Sequence, residues 1–97
     1  MSSLGNLTKP GDHVNVDASA AGWDQIIPAV TGKSIVLCDV IVHGSSEGQL
    51  STESDGTGLI TYTVDGHTPY RAPIRVPVSK PVYSNIEAKH TITYYLI

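Results

Sequence analysis

The chain has 97 residues, 40% of them hydrophobic and 15% charged, with a formal net charge of −3. That length suits one domain with a modest core, and a charged fraction below the roughly one quarter typical of soluble proteins leaves a surface built from Ser, Thr, Asn and Gly. Six scattered basic residues against nine acidic ones argue against nucleic acid, which needs clustered Lys and Arg to displace counterions, and neither a membrane span nor a basic-then-apolar leader is expected.

Apolar residues lack helical spacing, whereas β-branched and aromatic residues cluster in short runs between Gly, Asp, Asn and Ser. Residues 1–12 are polar and read as an N-terminal arm ahead of a β-sandwich domain over 13–97. His13 to Asp17 alternates like a first strand, and Trp23 to Ile27 is extended until Pro28.

Residues 34–42 make the strongest strand. Strict alternation puts Val36, Cys38, Val40 and Val42 on one face and Ile35, Leu37, Asp39 and Ile41 on the other. Both faces are mostly apolar, which predicts either a central strand or one whose second face meets another subunit. Cys38 is the only cysteine and is expected to be a buried, inert thiol, since nothing nearby would activate it.

A turn at 43–48, a short polar strand at 49–53, a Gly-bearing turn at 54–58 and a strand at 59–64 follow. Asp65-Gly66 has tight-turn chemistry, with His67 expected at its tip. Pro69, Pro73, Pro77 and Pro81 then recur every four residues. Amides of one parity point to one edge of a strand, so this spacing predicts an extended edge strand whose outer rim lacks donors, with Arg71 and Arg75 on the proline-bearing face. Val82–Ile86 and His90–Ile97 read as a closing hairpin around Glu87-Ala88-Lys89, its last strand paired and buried. Turns every 8 to 12 residues between about eight short strands predict an all-β fold, a single antiparallel β-sandwich of jelly-roll type.

Candidate chemistry is sparse. His13, His43, His67 and His90, with Asp12, Asp39 and Asp65, show no ligand-type spacing, so no metal is expected. No serine sits in a Gly-x-Ser-x-Gly elbow and no Gly-rich loop leads into a helix. Neither an enzyme nor a cofactor is expected. Trp23 and the five tyrosines suit either a sugar platform or a core lacking phenylalanine. Core packing is the reading adopted for most of them, Trp23, Tyr94 and Tyr62 in particular.

The run Ala29-Val30-Thr31-Gly32-Lys33-Ser34-Ile35-Val36-Leu37 and the C-terminal Ile92-Thr93-Tyr94-Tyr95-Leu96-Ile97 resemble small β-sandwich proteins encoded beside head genes of tailed bacteriophages. In that group a Gly-Lys pair opens a long apolar strand, a polar segment like 48–58 follows, and a Thr-x-Tyr strand finishes. The likeness covers about two thirds of the chain, carries no catalytic motif, and departs at the Pro69–Pro81 repeat. It implies a capsid cement or decoration protein: a jelly-roll homotrimer on the capsid surface of the virion, assembled in the host cytoplasm and bound to the major capsid protein. Leu4, Leu7, Trp23, Ile35, Leu37, Ile41, Arg71 and Arg75 are the expected partner contacts. The alternative is a fibre, spike or receptor-binding domain recognising host glycan through Trp23 or tyrosines in loops such as 43–48 and 54–58.

Overall fold

The computed structural model describes residues 12–16, 22–43, 47–63 and 66–97, giving backbone alone from 67 to 72. These residues form eight strands and no helix: β1 (Asp12–Val16), β2 (Asp24–Ile27), β3 (Ile35–His43), β4 (Gly48–Ser51), β5 (Leu59–Thr63), β6 (Gly66–Arg75), β7 (Val82–Ser84) and β8 (Lys89–Leu96). They make two four-stranded sheets, ordered β1-β8-β3-β6 and β2-β7-β4-β5. Every pairing is antiparallel. The core between them is filled by Ile27, Ile35, Leu37, Val40, Val42, Leu50, Val82 and Ile92 from strands, and by Val76 and Ile86 from connections. β8 lies between β1 and β3, as expected for an apolar final strand.

The face assignment of β3 departs from simple alternation. Leu37 stands opposite Tyr94 and Asp39 opposite Thr93, so Cys38 is an extra residue with no partner across the ladder. Such a bulge reverses side-chain parity beyond it. Ile35 and Leu37 before the bulge therefore share the core with Val40 and Val42 after it. Val36 and Ile41 turn to the outer face instead. Cys38 is half-buried rather than interior; burial, aided by the adjacent Asp39 carboxylate, raises its thiol pKa above the ordinary value.

The predicted C-terminal hairpin does not form. β7 belongs to one sheet and β8 to the other, and the connection through residues 85–88 crosses the end of the sandwich. Propensity and turn chemistry locate both strands but are silent about which sheet each joins.

The proline-rich segment is an edge strand, with β3 as its neighbour, but it ends at Arg75, and Pro77 and Pro81 fall in the connection to β7. Its ladder is interrupted: Leu37 pairs with Ile74 and Asp39 with Pro69, so two steps along β3 match five along β6. His67 is not at a loop tip but inside β6, opposite Ile41.

The expected turn at 54–58 is present. Asp55 Oδ1 accepts the Thr57 backbone N–H at 3.1 Å and its hydroxyl at 2.7 Å, while Gly56 takes φ +81°, a conformation that costs glycine little.

Candidate functional site

Three regions of the described surface and interior carry polar or exposed apolar groups in fixed arrangements. The first is the outer face of the β1-β8-β3-β6 sheet. Residues directly opposite in antiparallel strands share a face, and Val14, Ile92 and Val40 are mutually paired and inward. The alternate set is therefore outward: His13 and Asn15 on β1, Thr91, Thr93 and Tyr95 on β8, Val36, Asp39 and Ile41 on β3. The Thr91 hydroxyl donates to Asn15 Oδ1 at 2.8 Å, stitching β8 to the β1 edge. Val36, flanked by Tyr95 and Arg75, is 3% exposed although it lies outside the core cluster. This face is thus rich in β-branched and hydroxyl-bearing side chains.

The second region joins the sheets at the β7–β8 crossing. Ser84 Oγ lies 3.0 Å from His90 Nε2, and His90 Nδ1 lies 2.7 Å from the Ala88 carbonyl oxygen. A carbonyl can only accept, so Nδ1 carries the proton and Nε2 takes the Ser84 hydroxyl hydrogen. Ser84 Oγ also accepts the Ile86 N–H at 3.2 Å. Burial pushes the His90 pKa down, offset by the Ala88 bond and the Asp24 carboxylate, and pushed further down by His43.

This arrangement has the connectivity of a serine–histidine pair, yet Ser84 is 2% and His90 1% exposed. A nucleophile must reach its substrate. Ser84 is instead sealed in, and one of its lone pairs is occupied by Ile86. The pair does structural work: it satisfies buried polar groups while tying one sheet to the other. Among the described residues no group of three His, Cys, Asp or Glu is placed to hold a metal ion.

The third region is the opposite end of the sandwich, where the β2–β3 and β6–β7 connections clasp. Ser79 N donates to the Lys33 carbonyl at 2.8 Å, and Gly32 N donates to Ser79 Oγ at 2.9 Å. Those bonds hold Ser79 at φ 62°, a region that non-glycine residues seldom adopt. Ser34 and Ile97 exchange two backbone bonds beside the clasp, both 3.0 Å. Val30, Val78 and Leu96 are exposed there, at the end where β1 begins opposite Tyr94.

The expected contact residues scatter across this framework. Ile35 and Leu37 are core and present no surface to a partner. Ile41 is half-buried on the outer face and Arg75 is exposed at the end of β6. Trp23 is half-buried, its indole against Gly56, where an added Cβ would come within 2.5 Å of the ring. Leu4 and Leu7 lie outside the described residues, as does the Arg71 side chain. Among the aromatics expected in the core, Tyr94 packs against it, but Tyr62 is 65% exposed. Its neighbours Thr61 and Thr63 take the inward positions opposite Leu50 and Gly48. The chain matches no family model, no curated protein and no solved structure.

Proposed function

We propose that this chain is a virion structural protein, a capsid cement or decoration protein of a tailed bacteriophage that binds the major capsid protein lattice as a homotrimer. The observation that carries the proposal is the strand order. Sheets ordered β1-β8-β3-β6 and β2-β7-β4-β5 support the jelly-roll reading, in which two four-stranded Greek keys interlock, an architecture that recurs in viral capsid proteins. The phage assignment comes from the resemblance of residues 29–37 and 92–97 to head-associated proteins.

Two surfaces suit this role. The outer face of the β1-β8-β3-β6 sheet offers Ile41 and Tyr95, both half-buried, amid hydroxyl groups, a composition that can be buried between subunits without stranding many charges. The clasped end presents Val30 and Val78 on loops already held by hydrogen bonds, beside Leu96 at the end of β8, so docking them immobilises little that is free.

The mechanism is linkage. A protein that binds the assembled shell and not its separated subunits shifts the equilibrium toward the shell by its binding free energy. Light scattering on the purified chain, then co-sedimentation with phage heads stripped of accessory proteins, tests the reading. A trimer that pellets with heads is expected; a monomer that stays in the supernatant overturns it.

A further inference from the structure

A cleft of about 390 Å³ opens at the end of the β2-β7-β4-β5 sheet, lined by Glu47, Gly48, Gln49, Tyr62, Thr63 and Asn85. We propose that it is a binding site for an uncharged sugar ring, with Tyr62 as the stacking platform and the Gln49 and Asn85 amides as the polar anchors. The proposal stands independently of the capsid reading.

The construction begins with Gly48. A Cβ there would fall 2.6 Å from Ile86 Cγ1 and 3.0 Å from Ile86 Cα. Only glycine lets the chain after β7 lie this close to β4. That approach delivers Asn85 to Gln49: Asn85 Oδ1 accepts the Gln49 backbone N–H at 2.6 Å, and Asn85 N donates to the Gln49 carbonyl at 3.2 Å. With Oδ1 so occupied, Nδ2 is turned to Gln49 Oε1, 3.4 Å away. The two side-chain amides are locked to one another before any ligand arrives. The Gln49 Nε2 hydrogens and the second Asn85 Nδ2 hydrogen are not consumed by these bonds.

Tyr62 is the Cα partner of Gln49 and shares its outward face. It is also the most exposed of the large hydrophobic residues among those described. A flat ring beside fixed amide donors is the arrangement that sugar recognition uses: the ring covers the apolar C–H face while amides meet the hydroxyl groups at its rim. Among the described residues the lining includes no Lys, Arg or His and does include Glu47, which selects neutral sugars over sialic acids or sulfated ones.

Saturation-transfer NMR on the full chain tests the site, with methyl β-galactoside, methyl α-mannoside and N-acetylglucosamine as neutral probes and N-acetylneuraminic acid as the anionic one. Transfer to at least one neutral probe is expected, with none to N-acetylneuraminic acid. Tyr62→Ala should weaken that binding by roughly thirty-fold, the scale of a lost aromatic anchor, whereas Tyr62→Phe should keep most of it. Circular dichroism of both variants should match the parent, because the ring lies outside the core. Silence from every neutral probe, a preference for the anionic probe, or binding that survives Tyr62→Ala in a folded variant overturns the proposal.

Discussion

Replacing Ser84 with alanine removes one oxygen that serves two buried partners. It gives a hydrogen to His90 Nε2 at 3.0 Å and accepts one from Ile86 N at 3.2 Å. Leaving a buried donor or acceptor unpaired costs about 1–3 kcal/mol each, so Ser84→Ala should destabilise the domain by about 2–6 kcal/mol. That is a large share of the roughly 5–15 kcal/mol that holds a small domain together. In a chain near this length each kcal/mol lowers Tm by about 4–8 °C, which puts the expected drop at about 8 °C or more. Thermal unfolding followed by circular dichroism at pH 7.5 reads it directly. A drop under about 2 °C would refute the inter-sheet tie as a source of stability.

Four further outcomes follow from the same geometry. Burial lowers the folded pKa of His90 below the ordinary 6.5, so below that pH the unfolded chain binds more protons than the folded one. Its stabilising contribution is therefore complete above about pH 6.5 and is lost as pH falls toward the depressed folded value. Urea unfolding at pH 7.5 and pH 5 should show a larger loss for the parent than for His90→Gln; equal losses would contradict this. Leu37→Ala should cost about 2–5 kcal/mol and Ile41→Ala less than about 1.5 kcal/mol, measured by the same titration; similar costs would mean that the Cys38 bulge does not reverse the faces. Cys38, its thiol pKa raised, should react with an aromatic disulfide reagent more slowly in the folded chain than in urea, and a faster folded reaction would show an activated thiol instead. Gly56→Ala, which drives a Cβ against the Trp23 indole at φ +81°, should red-shift tryptophan emission and lower Tm, whereas unchanged emission would mean that the ring does not lie on that turn.

The elements themselves were largely legible in the sequence. Alternation and turn residues place seven of the eight strands within a residue or two, because period-two patterning and Gly or Asp punctuation are local properties; β6 instead starts three residues before the proline repeat and ends six residues short of it. What local patterning could not carry was anything set by distant pairing. The bulge at Cys38 arises from register with β8, and no residue in the run 35–43 announces it. The sheet membership of β7 and β8 follows from packing across the core, so two strands joined by a short turn looked like a hairpin. Residue type did not mark Tyr62 as exposed either. Its outward position follows from parity with Thr61 and Thr63, which are small enough to face in beside Leu50 and Gly48. Gly48 itself, whose missing Cβ brings Asn85 to Gln49, read only as part of a turn.

The most direct test of the capsid reading is the temperature at which stripped phage heads release DNA to an intercalating dye, with and without the purified chain at saturating concentration. If the chain binds the assembled shell in preference to its subunits, reloaded heads should break at a higher temperature, and the shift should grow with protein concentration until the sites are full. Release at the same temperature at every concentration would contradict the account.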